Sequence, residues 1–302
     1  MTKAKLQEFE GSVISIILPT RGRTGGALQD SIKSLLENAD DPSRIEIMLG
    51  VDDDDKESID WVNNEAADFV SPFGCACKAK VFRPLGYEQL NIYVNLLCHA
   101  STGAWLFLWN DDALMQTKGW DTVVRSYDGQ FKCLAPKDNH DHPFAIFPLI
   151  PADWFVLCDA WSINAQNDTW VSVIARMNGI FERIDIEVLH DRADMTGSND
   201  DQTFADRKYM EGNPQDPKDF NHPSMQQARM HHASKIDWFL KKIKVHESPS
   251  PFEKFVSGEV NPFDDMANHN PKGAGQFGSI NNPDKPTPPT KERLPDDTKL
   301  EL

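Results

Sequence analysis

From Val13 to Leu18 the chain reads VISIIL, apolar apart from one serine and rich in β-branched residues, and Pro19 ends the run. So short and so apolar a segment predicts a strand covered on both faces, as in a parallel sheet. The polar stretch TRGRTGG follows. Leu28, Ile32, Leu35 and Leu36 then recur at helical spacing until Asp40-Asp41-Pro42 closes the segment. The alternation repeats. IEIMLGV (45–51) predicts a second strand, and Asp52-Asp53-Asp54-Asp55 lead into a helix containing Ile59, Trp61 and Val62. Residues 79–82 predict a short third strand. Residues 87–100 (YEQLNIYVNLLCHA) predict a helix with Leu90, Val94, Leu97 and Cys98 on one side, and WLFLW (105–109) the next strand. Strands alternating with helices imply βαβ units and an α/β fold: a mostly parallel, Rossmann-like central sheet flanked by helices.

Beyond Asp112 the pattern loses regularity. FKCLAP and FAIFPLI are strand-like, 169–177 is helical, and IDIEVLH predicts a strand ending on His190. From Gly212 the chain is rich in Pro and Asn apart from one helical stretch near 225–244. This divides it into a main α/β domain (1–211), a helical extension (212–257) and a tail (258–302) of the composition typical of flexible segments. There is no internal repeat.

Charge sharpens this division. The net charge is −16, yet residues 212–302 hold 12 Lys/Arg against 13 Asp/Glu, leaving 19 against 34 in residues 1–211. The acidity therefore belongs to the first two thirds. A field of that sign disfavours nonspecific contact with nucleic acid or anionic membrane and suits a site that gathers divalent cations. No apolar run approaches the roughly 20 residues of a membrane span, and no apolar signal core follows the first lysines. Five cysteines, an odd number, three of them in or beside apolar segments, fit buried thiols in a reducing, cytoplasmic setting. Cys75 and Cys77 have no second Cys/His pair at zinc-finger spacing.

In open α/β sheets ligands bind outside the carboxyl ends of the strands, and here each early strand discharges polar residues at that end. The first gives Thr20, Arg21 and Arg23, the second Asp52 to Asp55, the fourth Asn110-Asp111-Asp112. Any one of these also suits a solvated loop or a helix cap. WLFLWNDDA is the most specific, because two carboxylates directly behind a stiff apolar strand are placed to share a hard cation, Mg²⁺ or Mn²⁺.

Together VISIILPTRGR, EIMLGVDDDD and LNIYVNLLCHASTGAWLFLWNDDA resemble the family 2 type of glycosyltransferase with the GT-A fold, over residues 12–195. The resemblance implies a Mn- or Mg-dependent enzyme of hexosyltransferase type. Its donor would be a UDP- or GDP-linked sugar and its acceptor a hydroxyl group. It implies that Thr20, Arg21, Arg23, Asp52, Asp53, Asn110 and Asp111 contact the nucleotide. Asn110-Asp111-Asp112 corresponds to the family's DxD motif, with Asp112 on the metal. NDTWVSVIARMNG resembles the acidic helix start that supplies the catalytic base of inverting members, which gives that role to Asp168. His190 falls where many relatives complete the metal shell. The sequence departs from the family in Asn110, where the motif begins with Asp, and in DDDD where DDGS or a relative is usual. Asp168 also suits a helix N-cap, and His190 a surface strand end. The acceptor is left open among a glycan, a lipid-linked glycan, a protein and a modified nucleobase, as is self-association. Two other classes stay in play: a non-catalytic sugar-nucleotide binding module, and a sugar-phosphate nucleotidyltransferase, whose glycine-rich loop TRGRTGG matches only loosely.

Overall fold

A computed structural model describes residues 12–139, 141–191 and 215–266. Among them eight strands form one sheet. These are β1 (Ile14–Pro19), β2 (Ile45–Asp52), β3 (Ala76–Phe82), β4 (Trp105–Leu108), β5 (Ala113–Met115), β6 (Cys133–Asp138), β7 (Leu149–Pro151) and β8 (Phe181–His190), in the order β3-β2-β1-β4-β7-β6-β8-β5. The first four pair in parallel, as the alternation predicts, and so do β6 and β8. The pairings β4/β7, β6/β7 and β5/β8 are antiparallel, so the second half of the sheet is mixed.

Successive side chains of a strand point to opposite faces, which divides the apolar strands between two cores. Ile14, Ile16 and Leu18 of β1, with Ile45, Ile47 and Leu49 of β2 and Trp105 and Phe107 of β4, meet α1 (Ala27–Glu37), α2 (Lys56–Asn64) and α3 (Ala66–Val70). α5 (Trp120–Arg125) adds Trp120 to this layer. On the other face Ile17, Met48, Leu106 and Leu108 meet α4 (Leu90–Ala100), α6 (Ala152–Cys158) and α7 (Asn167–Met177). Helices thus cover both faces. In α4 the core side chains are Tyr93, Val94, Leu97 and Cys98, while Leu90 is only half-buried.

The expected helical extension belongs to the second core. Ala233, Ile236 and Leu240 of α8 (Pro223–Lys242) are fully buried in it beside Trp154 and Trp170, so α8 completes a layer of the sheet. α9 (Pro251–Val256) adds Phe252. The expected tail boundary at 258 falls inside packed chain, because Phe263 is buried in the same core and Asp265 pairs with Arg176 at 3.0 Å. Residues 267–302 of that tail lie outside the described residues, as do 192–211 of the expected main α/β domain.

Away from the polar strand ends, the carboxylate of Glu46 is buried at the start of β2. It accepts from Ser15 Oγ at 2.6 Å, Lys78 Nζ at 2.9 Å, Thr102 Oγ1 at 3.0 Å and the Gly103 amide at 3.2 Å, and from the Thr102 amide. Burial opposes its ionisation, yet these donors, Ser15 first, outweigh burial and hold the carboxyl below the usual range.

Candidate functional site

Because β1, β2, β3 and β4 are parallel, their carboxyl ends share one edge of the sheet, and β8, parallel to β6, brings its own to the same edge. The three polar clusters read from the sequence converge there. Thr20 Oγ1 donates to Asp111 Oδ2 at 2.7 Å, joining the end of β1 to the segment after β4. Arg21 donates to Asp52 at 2.7 Å and to both oxygens of Asp54, at 2.5 and 3.0 Å, joining β1 to β2.

The four consecutive aspartates have separate tasks. Asp52 is buried and also accepts from the Tyr93 hydroxyl of α4, which in turn accepts the Leu85 amide at 2.8 Å. Asp53 leaves its side chain exposed while its amide binds the Phe82 carbonyl at 2.7 Å. Asp54 is spent on Arg21. Asp55 caps α2, accepting from Ser58, and takes the Gly22 amide at 2.7 Å. An open carboxylate row in sequence is thus a braced turn in space.

The segment Asn110-Asp111-Asp112 sits between β4 and the short strand β5, which the sequence reading missed. Trp109 anchors its start: the ring is fully buried and its Nε1 donates to Ser31 Oγ at 2.8 Å, while Ser31 donates to the Asn110 carbonyl at 3.1 Å. β5 then pairs antiparallel with the end of β8, with Ala113 opposite His190 and the Asp191 amide on the Asp112 carbonyl at 2.9 Å. This register delivers His190 to the motif. Its Nε2 lies 3.2 Å from Asp112 Oδ1 and 3.2 Å from Asn110 Nδ2, and its ring rests edge-on against Phe147.

His190 and Asp112 are 8% and 17% exposed, dry enough for their contact to count. Burial opposes ionisation of Asp112, but His190 and the charge of Arg23 outweigh it and hold the carboxyl below the usual range. Asn139, a residue absent from the sequence reading, clamps the backbone of His190. Its Oδ1 accepts the His190 amide at 2.8 Å and its Nδ2 donates to the His190 carbonyl at 3.3 Å. It follows β6 directly, so the strand-end rule that picked out the other clusters would have found it.

Asp168 stands in the first turn of α7, behind the N-cap Gln166. Its carboxylate accepts the Thr169 amide at 2.7 Å. α7 leads through three residues into the start of β8, and the contacts of Asp168 are within its own helix, since its backbone carbonyl accepts from Ser172 Oγ at 2.8 Å. A cavity of about 630 Å³ opens elsewhere, around Arg176, Phe181 and Arg183, and does not include these residues. Among the described residues no group of three His, Cys, Asp or Glu is assembled as a metal site.

No family model matches the chain, and no curated protein matches it. Solved structures do. TarS residues 1–349 from S. aureus, in complex with UDP-GlcNAc, superposes with a TM-score of 0.49 at 11% identity, over 83% of this chain and 77% of that one. The mannosyltransferase PcManGT from Pyrobaculum calidifontis, in complex with GDP-Man and Mn²⁺, gives 0.47 at 10% identity, over 82% and 79%. A longer S. aureus TarS chain gives 0.46 at 8% identity, over 73% of this chain and 48% of that one, so the chain spans about half its length.

Proposed function

We propose that this chain is a glycosyltransferase of the GT-A type that moves a sugar from a nucleoside diphosphate to an acceptor hydroxyl. The observation that carries the reading is the meeting of Asp112, His190 and Asn110 within 3.2 Å contacts at the edge where Thr20, Arg21 and Asp52 also end. In this reading Thr20, Arg21 and Arg23 would contact the diphosphate and Asp52 and Asp53 the nucleoside, which their position at the carboxyl ends of β1 and β2 supports.

Asp112 and His190 offer donors that suit a divalent cation, one carboxylate oxygen and one imidazole nitrogen 3.2 Å apart beside the paired strands β5 and β8. A Mn²⁺ or Mg²⁺ ion held by them would neutralise charge on the departing nucleoside diphosphate. Asn110 keeps the His190 ring turned toward Asp112, and Asn139 fixes its backbone. Asp168 removes the proton of the acceptor hydroxyl as the new bond forms, with inversion at the anomeric carbon.

Titration calorimetry with UDP and GDP, each with Mn²⁺ and with chelator, tests donor binding. Cation-dependent affinity for either nucleotide is expected, and its absence for both refutes the reading. One observation favours a binding module without turnover: Asn110 presents a neutral amide to His190 where the family has a carboxylate. Slow metal-dependent hydrolysis of a UDP- or GDP-sugar without acceptor separates the two, since a module releases no sugar.

A further inference from the structure

The outward face of α8 carries a feature that donor chemistry does not use. Of the eight tryptophans, seven are at most 5% exposed, whereas Trp238 is 59% exposed. Lys235, three residues before it, and Lys242, four residues after it, share its side of the helix at i−3 and i+4 spacing. Lys242 Nζ lies 5.8 Å from the centre of the indole. Val245, in the turn that follows, is 55% exposed, and the adjoining segment leaves Val256 at 42% and Val260 at 47%. The inner face, Ala233, Ile236 and Leu240, is already spent on the core.

Charge points the same way. Residues 223–260, which include the exposed valines, hold six Lys/Arg against four acids in a chain whose total is −16. Asp237 and Glu253 are committed to Lys241, at 2.8 and 2.6 Å, and Arg229 is buried, so Lys235, Lys242, Lys244 and Lys254 stand against Glu247 and Glu259 and leave the local surface net positive. Screening over about 8 Å at physiological ionic strength makes that local charge, and not the distant acidity of residues 1–211, what a docked surface feels.

We propose that this face of α8 docks on an anionic lipid surface, with Trp238 entering the headgroup boundary and Lys235 and Lys242 meeting lipid phosphates. An indole with an apolar body and a polar N–H suits that boundary, and flanking lysines add attraction to anionic headgroups. A nucleic acid fits less well. The arginine of the helix, Arg229, is buried, and exposed valines gain nothing against a phosphodiester backbone. Among the described residues no helix is long and apolar enough to cross a membrane, so the contact is peripheral. The inference does not depend on the donor-site reading.

Vesicle co-sedimentation tests it, using phosphatidylcholine alone and phosphatidylcholine mixed with anionic phosphatidylglycerol. The protein should pellet with the mixed vesicles, stay in solution with the neutral ones, and come off at high salt. Each lysine near the surface is worth roughly fivefold in partition, so Lys235→Ala with Lys242→Ala should weaken binding about 25-fold. Trp238→Ala should weaken it as well, with Trp238→Phe in between. Circular-dichroism melts of all variants should match wild type, since the three side chains are peripheral to the core. The proposal falls if wild type ignores the mixed vesicles, if the variants bind as wild type does, or if a DNA duplex is bound through these residues while vesicles are not.

Discussion

Exchanging Asp112 for Asn tests the cation site at the smallest cost in shape. The amide can keep its 3.2 Å neighbourhood with His190 and leave the β5/β8 register untouched, since the Asp112 carbonyl, not the side chain, binds Asp191. What disappears is the charge of one of the two proposed protein ligands. Removing even a supporting group around a bound metal weakens it 10- to 100-fold as a rule, so at least about 100-fold is expected for a direct ligand. Nucleotide plus Mn²⁺ at about 100 times the wild-type dissociation constant stabilises by roughly 2.7 kcal/mol. The same mixture then stands near the variant's own dissociation constant and stabilises it by only about 0.4 kcal/mol. At roughly 2–4 °C per kcal/mol for a domain of this size, a wild-type shift of about 5–11 °C should shrink to about 1 °C. Thermal melts with Mn²⁺ and with chelator read this directly. An Asp112→Asn variant that keeps the full Mn²⁺-dependent shift, with an unchanged melt in the absence of ligand, removes Asp112 from the cation site.

Asp168→Asn keeps an oxygen for the Thr169 amide and should lower turnover about 10²- to 10⁴-fold with donor affinity and melting temperature unchanged; turnover within a few fold of wild type would leave the residue a helix-start contact. Glu46→Gln places an amide N–H₂ against the donors Lys78 and Thr102 and should cost about 2–3 kcal/mol. Because the folded carboxyl is held below its ordinary value of 4.5, that stabilisation is complete above this pH and lost as pH falls through the lower folded value. The difference in melting temperature between the two proteins should therefore narrow in acid, and a pH-independent difference would contradict the account. Gly103→Ala would set a methyl group 2.3 Å from Ser15 Oγ and 2.8 Å from both the Ser15 nitrogen and the Val13 oxygen, so strand β1 must shift. A loss of about 1–3 kcal/mol in chemical denaturation is expected, and a neutral result would show that the turn before β4 yields freely.

β1, β2 and β4 were legible because each is a dense apolar run between helical repeats, and burial on both faces leaves that signature. The edge strand β3 carries Lys78 and Lys80, is largely exposed, and showed in the sequence only over 79–82 of its Ala76–Phe82. The second half was harder to read. β5 is three residues long, too short for any periodicity, and it is a strand only because β8 offers it a ladder. FAIFPLI reads as one strand, yet only Leu149–Pro151 pairs, and the next helix, Ala152–Cys158, starts behind a proline that local propensity treats as a breaker. Among site residues, strand ends gave the clusters but not their partners. Tyr93 falls outside the apolar side expected of its helix, and its hydroxyl on Asp52 depends on how α4 crosses the sheet. Glu46 stands in a run that predicts burial, and nothing near it in sequence announces the donors 31 and 56 residues away.

The pairing of β5 with the end of β8 has one more consequence. Asn110 and His190 are 80 residues apart, and β5, which follows Asn110, meets the end of β8 only when that long loop of chain has closed. A ligand gripping both would act as a clasp on the closure. Its binding should slow hydrogen exchange at the amides shared by the two strands together, instead of protecting a single turn, and the site would be among the last parts of the molecule to assemble during folding.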